Sequence, residues 1–309
     1  MSSLHTPLCE LLGVRLPILQ APMANNQGVP LAAAVSRAGA LGSLPGAALS
    51  PADLRTAIRE LRQKTDAPFA VNLFAPPYLA PGALEVVLEE RPPVFSFTFG
   101  VVDPAPLREA GIRVLGTATT VEEAVALAEA GVDAVVAQGA EAGGHRGTFL
   151  GSFDDGLVPL EELVPACVAA VSVPVVAAGG IADGADIVRL LELGAQGVSL
   201  GTAFLFTPEA GRPPEHLATL RSLPTVVTDA YTGRPMRAAR TPALEQLMAG
   251  PAPLPFPEQR TVSAQLGPLY MGGTSAGRSR ELPAAELVRT LVEEAGGWPR
   301  RPAGPRRER

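Results

Sequence analysis

The segment AGVDAVV at residues 130–136 leads from the end of a predicted helix into a buried strand, and variants of it recur along the chain. They are AGALGSL (38–44), AGIRVLG (110–116) and LGAQGVSLG (193–201). A glycine just past a helix end adopts the left-handed conformation at little cost. The apolar runs that follow are typical of strands covered on both faces. Helix, glycine and strand in this order predict a parallel sheet.

Working outward from these segments, eight apolar runs alternate with helical patterns. The runs predict strands at Ile18–Met23, Leu41–Leu44, Phe69–Leu73, Val94–Phe97, Arg113–Gly116, Ala134–Ala137, Val175–Ala177 and Val198–Gly201. Eight such units predict an α/β fold, the closed (β/α)8 or TIM barrel. An open doubly wound sheet is the alternative, but the turn QAPMANNQG (20–28) lacks its usual glycine fingerprint.

The alternation of strands and helices stops after Phe206. Residues 207–279 are rich in Pro, Gly and Arg, and they predict an appendage that serves partly as a lid. The amphipathic segment 281–296 predicts a last helix that returns to the barrel. We therefore expect a barrel of residues 1–206 and 280–309, which ends in a solvated Arg-rich tail, and an appendage of residues 207–279.

Composition excludes several classes of protein. Of 309 residues, 47% are hydrophobic and 18% charged, which excludes a disordered chain, and the net charge of −6 argues against nucleic acid as the main partner. Two cysteines favour a reducing compartment, so we expect a cytoplasmic protein. No basic signal peptide or unbroken apolar span predicts contact with a membrane. No Cys/His cluster predicts a metal, and Asp154-Asp155-Gly156 predicts a turn.

The loop AQGAEAGGHRGTF (137–149) follows the sixth predicted strand, at the end of the barrel where active sites lie. Its glycines allow backbone to approach a ligand closely, and they surround His145. An imidazole titrates near pH ~6.5, so it can serve as a base, an acid or a cationic anchor. Glu141 and Arg146 share the loop, and each is more typical of a structural ion pair.

The loops after the seventh and eighth predicted strands, AAGGIADG (177–184) and GTAF (201–204), predict a phosphate site. Backbone N–H groups can bind an anion there, assisted by a helix N-terminus. The groups belong to Gly179, Gly180, Gly201 and Thr202.

Amide side chains end two other predicted strands, Asn72 the third and Gln138 the sixth. Amides both donate and accept hydrogen bonds, which suits the edge of a planar heterocycle, and Gln20–Met23 could run under such a ring. The residues therefore predict a phosphorylated planar ligand. Flavin mononucleotide (FMN) fits, and so does a nucleotide-sugar or a heterocyclic phosphate substrate.

At these residues the chain resembles the nitronate monooxygenases, formerly called 2-nitropropane dioxygenases. The matching segments are PILQAPMANN, AVSRAGALGSL, VNLFAPP, FSFTFG, VDAVVAQGAEAGGHRGTF, PVVAAGGIADG, GAQGVSLGTAFLFT and YTGRPMRAAR. The resemblance implies an FMN barrel without metal that oxidises anionic nitronates with O2 to a carbonyl compound and nitrite. It implies that His145 binds the nitro or nitronate group, or removes the α-proton of a neutral nitroalkane. The cofactor contacts it implies are Met23, Asn72, Gln138, Gly143, Gly179, Gly180, Ser199, Leu200, Gly201 and Thr202.

The resemblance implies a small nitro or nitronate compound and O2 as partners, and leaves the oligomeric state open, with a homodimer as one candidate. Family members carry tyrosines and a lysine toward the C-terminal part of the site, whereas this chain has Tyr231 and Tyr270 there and a single lysine, Lys64. Flavin-dependent enoyl-acyl-carrier-protein reductases share the EAGGH motif and are the first alternative. Quinone reductases that use NAD(P)H, and a flavin-binding barrel without turnover, are the others.

Overall fold

A computed structural model describes residues 4–24 and 28–296. The predicted Arg-rich tail, at residues 297–309, lies outside the described residues. The strands are β1 (Ile18–Gln20), β2 (Gly42–Pro45), β3 (Phe69–Phe74), β4 (Val94–Thr98), β5 (Arg113–Ala118), β6 (Ala134–Gln138), β7 (Gly144–His145), β8 (Val175–Ala178), β9 (Gly197–Leu200), β10 (Thr225–Thr228) and β11 (Met236–Ala239). All eight predicted strands are therefore present.

Helices join the strands as the apolar pattern predicts. They are α1 (Pro7–Leu12), α2 (Gly28–Arg37), α3 (Pro51–Lys64), α4 (Ala83–Glu90), α5 (Ala105–Glu109), α6 (Val121–Ala130), α7 (Leu160–Ala170), α8 (Gly184–Glu192), α9 (Thr202–Leu205), α10 (Pro214–Ser222), α11 (Pro242–Met248), α12 (Gln259–Ser263) and α13 (Ala284–Ala295). Gly131 ends α6 with a φ of 95°, the left-handed conformation that the recurring segment predicts. In the part of the chain that the structure describes, no helix has the length and apolar character needed to cross a membrane.

Eight parallel strands form one sheet, in the order β1-β9-β8-β6-β5-β4-β3-β2. A parallel bridge between Leu19 and Leu41 joins β1 to the start of β2, and the Gln20 backbone N–H donates to the Leu41 carbonyl at 2.8 Å. The two edge strands thus meet, and the sheet closes into the predicted barrel. This closure excludes the open doubly wound alternative. The strand β1 ends at Gln20 rather than at the predicted Met23, because Pro22 has no N–H to continue the ladder.

The helix α1, which the apolar pattern did not predict, closes the amino end of the barrel. Its buried Leu8, Cys9 and Leu12 belong to one apolar cluster with side chains from seven strands or their edges. Those side chains are Leu19, Leu41, Ala70, Val94, Leu115, Ala134 and Val176. Because this cluster fills the amino end, a ligand can enter only from the carboxyl ends of the strands, where this fold carries its active sites.

A second sheet of three antiparallel strands, in the order β10-β11-β7, lies beyond the barrel and was not predicted. Segment 207–279 supplies β10 and β11, and the loop after β6 supplies β7. Met236 pairs with His145, and the Arg146 backbone N–H donates to the Pro235 carbonyl at 2.8 Å. The backbone of His145 is therefore held from both sides, by the barrel and by the segment that follows it. The predicted last helix is confirmed as α13, which packs against α8 and α2.

Candidate active site

The loop that carries His145 is braced from beneath by a buried carboxylate, Glu123, at the start of α6. Glu123 has no exposed surface, and it accepts hydrogen bonds from the Thr119 N–H at 2.6 Å, the Thr119 hydroxyl at 2.9 Å and the Leu150 N–H at 2.9 Å. The Phe149 N–H also donates to it. A buried carboxylate is stable only with such donors, so this cluster fixes the carboxyl end of the loop to the start of α6.

The predicted ion pairs of Glu141 and Arg146 are not formed in the described structure. Arg146, fully buried, instead donates to the carbonyl oxygens of Gln138, Gly139 and Gly156 at 2.8–2.9 Å. Glu141 accepts from the Leu160 N–H at 3.1 Å. The prediction was wrong because backbone carbonyls converge on the two Nη atoms of the guanidinium and replace a carboxylate, while Nε has no partner among the described residues.

Both predicted amide side chains hydrogen-bond to their surroundings. Gln138 is the last residue of β6, and Asn72 lies two residues before the end of β3. Gln138 donates from Nε2 to the His145 carbonyl at 3.0 Å and accepts from the Gly147 N–H at 2.8 Å. Asn72 donates from Nδ2 to the Ser96 carbonyl at 3.2 Å and to its hydroxyl at 3.0 Å. Gln138 therefore shapes the His145 loop directly, and one of its two Nε2 hydrogens is left for a ligand.

The loops after β8 and β9 form a cradle of unpaired backbone donors. Gly179 and Gly180 have φ angles of 128° and 70°, a conformation that glycine adopts readily. Within residues 4–24 and 28–296, no hydrogen bond joins the backbone N–H groups of Gly179, Gly180 or Gly201 to another group of the chain. These three glycines are partly exposed, so their N–H groups are accessible, and a set of unpaired backbone donors of this kind suits a bound anion such as a phosphate. The cradle thus fits the phosphate end of FMN.

A C-terminal segment completes the cradle, and the sequence reasoning missed it. The Gly273 N–H donates to the Thr202 hydroxyl at 2.8 Å, and the Thr274 N–H donates to the Glu141 carbonyl at 3.1 Å. A Cβ on Gly143 would lie 2.4 Å from the Gly273 nitrogen, so glycine is required at this crossing. The signal that could have found the segment is a further Gly-Gly pair that is followed by hydroxyl residues, in GGTS (272–275).

Most predicted contacts converge on this cradle. Gly143, Gly180 and Thr202 all border the 272–274 segment, and the Met23 sulfur lies 3.7 Å from the position that a Cβ on Gly201 would take. The two strand residues Ser199 and Leu200 are buried in β9, where they pair with Leu19 and Gln20 of β1. Asn72 lies apart on β3, at 4% exposure.

The side chain of His145 faces a wall of aromatic rings that the sequence reasoning did not predict. Its ring centre lies 5.3 Å from that of Phe256 and 6.0 Å from that of Phe99, both edge-on. Tyr78 and Phe74 contact Phe256 at 5.1 Å and 6.5 Å between ring centres. These residues come from three separate segments, so no sequence spacing could have identified them. The wall limits access of water to the imidazole.

Positive charge lies next to this wall. The Arg234 guanidinium stacks 3.9 Å over the Phe99 ring and donates to the carbonyls of Arg146 and Thr148, with 5% of the residue exposed. Desolvation lowers the pKa of the His145 imidazole from its ordinary 6.5 to about 3, and the charges of Arg234 and Arg260 add to the shift. His145 is consequently neutral at neutral pH. Its Nε2 lies 3.1 Å from the Thr232 hydroxyl.

The residues that the structure describes contain no cluster of three or more His, Cys, Asp or Glu side chains arranged to hold a metal ion.

Comparison with known proteins places this site among related barrels. Residues 5–82 and 80–294 match the profile of the family described as nitronate monooxygenase. The nitronate monooxygenase of Pseudomonas aeruginosa is 40% identical, over 93% of this chain and 98% of that protein. That of Paraburkholderia phytofirmans is 38% identical, over 93% of this chain and 94% of that protein.

Solved structures are also similar to this chain over most of its length. A nitroalkane oxidase from Streptomyces ansochromogenes superposes with a TM-score of 0.87 at 38% identity, and the match covers 94% of this chain and 97% of that one. FabK from Thermotoga maritima superposes with a TM-score of 0.81 at 34% identity, over 94% of this chain and 96% of that one. Both likenesses extend over the barrel and the segment that follows it.

Proposed function

The chain belongs to the nitronate monooxygenase family, and on that premise we propose that it oxidises alkyl nitronates with O2 to a carbonyl compound and nitrite, with FMN as its flavin. The family is one of oxidoreductases that depend on a flavin. When bound, FMN takes electrons from the substrate and passes them to O2. The chain itself binds the phosphate, positions the organic substrate and controls the proton at His145.

One observation carries the choice of substrate: the substrate side of the site is cationic and its histidine is neutral. The positive charges of Arg234 and Arg260 are what a nitronate anion would meet, and the same charges help to lower the pKa of His145. A neutral imidazole has one N–H that can donate a hydrogen bond and one nitrogen lone pair that can take a proton. With so low a pKa it is a weak base, so the site favours a substrate that has already lost its α-proton.

The cofactor proposal is supported by the unpaired donors of Gly179, Gly180 and Gly201. We expect the purified protein to be yellow and to release FMN on denaturation, at a ratio approaching one per chain. Chromatography of the supernatant against FMN and FAD standards checks this. A colourless protein that does not take up FMN on reconstitution would refute the proposal, and release of FAD would correct it.

A second candidate rests on the likeness to FabK. In that case a reduced nicotinamide, and not a nitronate, would reduce the flavin, and the product would be a reduced carbon–carbon double bond or a quinol. Anaerobic mixing separates the two candidates. We expect the flavin absorbance to bleach within seconds after an excess of alkyl nitronate is added, and to persist with NADH or NADPH. Bleaching by NADPH alone would assign the chain to the reductase alternative.

We also propose that residues 207–279 act as a lid on the barrel. Phe256, from this segment, contacts the imidazole that the barrel loop carries, and β11 of the same segment pairs with β7. The aromatic wall is therefore assembled only when lid and barrel meet. Phe256 is therefore the apolar lid residue whose contact with the imidazole can be tested.

Replacing Phe256 with Ala should raise the KM for a nitronate by about tenfold. Burial of one apolar side chain contributes roughly 1.5–3 kcal/mol, and the substrate would lose part of this contact energy. The value of kcat should change less, since His145 and the cradle are untouched. Leu254→Ala is the matched control: Leu254 lies in the same segment, is 46% exposed and makes no ring contact with the site. Equal KM values for both variants would argue against the lid.

A further inference from the structure

The hydroxyl of Thr232 occupies a position where its single proton can be assigned. Thr232 is 1% exposed and lies in the turn between β10 and β11. Its Oγ1 is 2.9 Å from the Arg234 carbonyl oxygen, 3.4 Å from the Arg234 nitrogen and 3.1 Å from Nε2 of His145. Three groups therefore surround one oxygen that has one proton and two lone pairs.

Each partner but one has a fixed role. The Arg234 carbonyl can only accept and the Arg234 N–H can only donate, so all three contacts can be hydrogen bonds at once only if the Thr232 proton points to that carbonyl. The remaining lone pair of Oγ1 faces Nε2 of His145, and a hydrogen bond forms there only if Nε2 is the donor. The neutral imidazole consequently carries its proton on Nε2, and Nδ1 has the free lone pair. Among the residues that the structure describes, none hydrogen-bonds to Nδ1.

We propose that Thr232 is a positioning residue that holds His145 in its Nε2–H form, so that Nδ1 is the atom that exchanges protons or hydrogen bonds with the substrate. The assignment rests on the proposed function only for the identity of that substrate. Protonation at Nδ1 leaves the Nε2–H···Oγ1 hydrogen bond intact, so Thr232 keeps the ring oriented in both states.

The surroundings of the imidazole agree with this assignment. The charged groups that act on it are Arg234, beside the turn, and Arg260, on α12, while Phe99 and Phe256 contact its ring. No carboxylate that could take a proton from either nitrogen is paired with it in residues 4–24 and 28–296. Among the described residues, the Thr232 hydroxyl is thus the one side-chain group that hydrogen-bonds to the ring and can fix its tautomer.

The test is nuclear magnetic resonance of the intact flavoprotein with 15N-labelled histidine, which is feasible because the chain has three histidines. His145→Asn identifies the signals. The wild type should show a protonated, slowly exchanging Nε2 and an unprotonated Nδ1 at neutral pH. In Thr232→Val, which keeps the shape, the Nε2 proton should exchange rapidly with water or move to Nδ1. Thr232→Ser should restore the wild-type pattern.

Thr228→Val is the matched control, because the Thr228 hydroxyl accepts from the Ala230 N–H in the same turn but does not contact His145. It should leave the imidazole signals unchanged. The rate of flavin reduction by a neutral nitroalkane should fall about tenfold or more in Thr232→Val, with recovery in Thr232→Ser. A proton on Nδ1 in the wild type, or unchanged signals in Thr232→Val, would overturn the proposal, and either result leaves the nitronate test of function standing.

Discussion

Gly180→Asp should produce a folded protein that contains almost no flavin, where the wild type should carry close to one FMN per chain. The substitution places a carboxylate beside the unpaired N–H groups that would hold a phosphate, so charge repulsion replaces attraction. A Cβ at this position would also lie 3.1 Å from the Glu141 Cβ and 3.3 Å from the Thr274 hydroxyl. We expect at least a hundredfold weaker binding of FMN, measured by titration of the flavin-free protein, and an unaltered far-ultraviolet circular dichroism spectrum.

Two further variants separate charge from backbone strain. Gly111→Asp imposes the same strain of about 1 kcal/mol, because Gly111 has a φ of 80°, but no atom lies within 4 Å of its Cβ position. It should keep its flavin. Gly180→Ala adds bulk without charge and should bind FMN with intermediate affinity. Full flavin in Gly180→Asp would mean that the phosphate lies elsewhere.

His145→Asn should lower the rate of flavin reduction by neutral nitroalkanes much more than the rate with their nitronates. A nitroalkane has to lose its α-proton before it can give up electrons, and a positioned base contributes roughly 10²–10⁴-fold to such a step. The low pKa of His145 makes it a weak base, so we expect a loss at the lower end, about 10²-fold. Nitronate oxidation should fall by less than about tenfold, because a nitronate has already lost its α-proton and needs no base. Anaerobic flavin reduction with each substrate measures both rates.

The pH dependence distinguishes a neutral imidazole from a cationic anchor. If the imidazole had to be charged to bind the anion, the value of kcat/KM for a nitronate would fall as the pH rises through about 6.5. Because the pKa of His145 is lowered to about 3, the group is already neutral over this interval, and we expect no such fall from it. A bound nitronate raises this pKa by its negative charge, which favours transfer of a proton toward His145.

The flavin content of His145→Asn has to match that of the wild type, since Asn keeps polarity and approximate size. If the rate of flavin reduction falls equally with both substrates, His145 does not act as a base and serves only to bind the substrate. Unchanged rates with both would exclude it from the chemistry.

Local patterns were sufficient for the barrel. Each predicted strand is a mainly apolar run, and glycines such as Gly131 mark helix ends because a left-handed residue is needed there. The start of the chain was harder to interpret, because α1 is six residues long and too short to show helical periodicity. Its side chains close the amino end of the barrel by packing against residues from seven strands or their edges, which no local pattern reveals. The strand β7 has two residues and no pattern of its own.

The residues of the candidate site also fall into those that a local pattern predicts and those that it does not. Gly179 and Gly180 predict a phosphate loop, because glycine allows the backbone to approach an anion closely. Arg234, by contrast, has no local signal, since it becomes part of the site only by stacking on Phe99, which lies far away in the chain. The same holds for Gly273, whose partner Thr202 is separated from it by 71 residues.

The sequence by itself therefore determined the eight-stranded barrel, the glycine cradle and the placement of His145 at the carboxyl ends of the strands, because period, glycine spacing and strand order are local properties of a chain. Only the tertiary structure decided the state of that histidine. Its neutrality, its tautomer and its aromatic surroundings depend on Arg234, Thr232 and Phe256. All three lie in segment 207–279, far along the chain from His145. Electrostatic and packing energies depend on distance in space, and separation along the chain does not encode that distance.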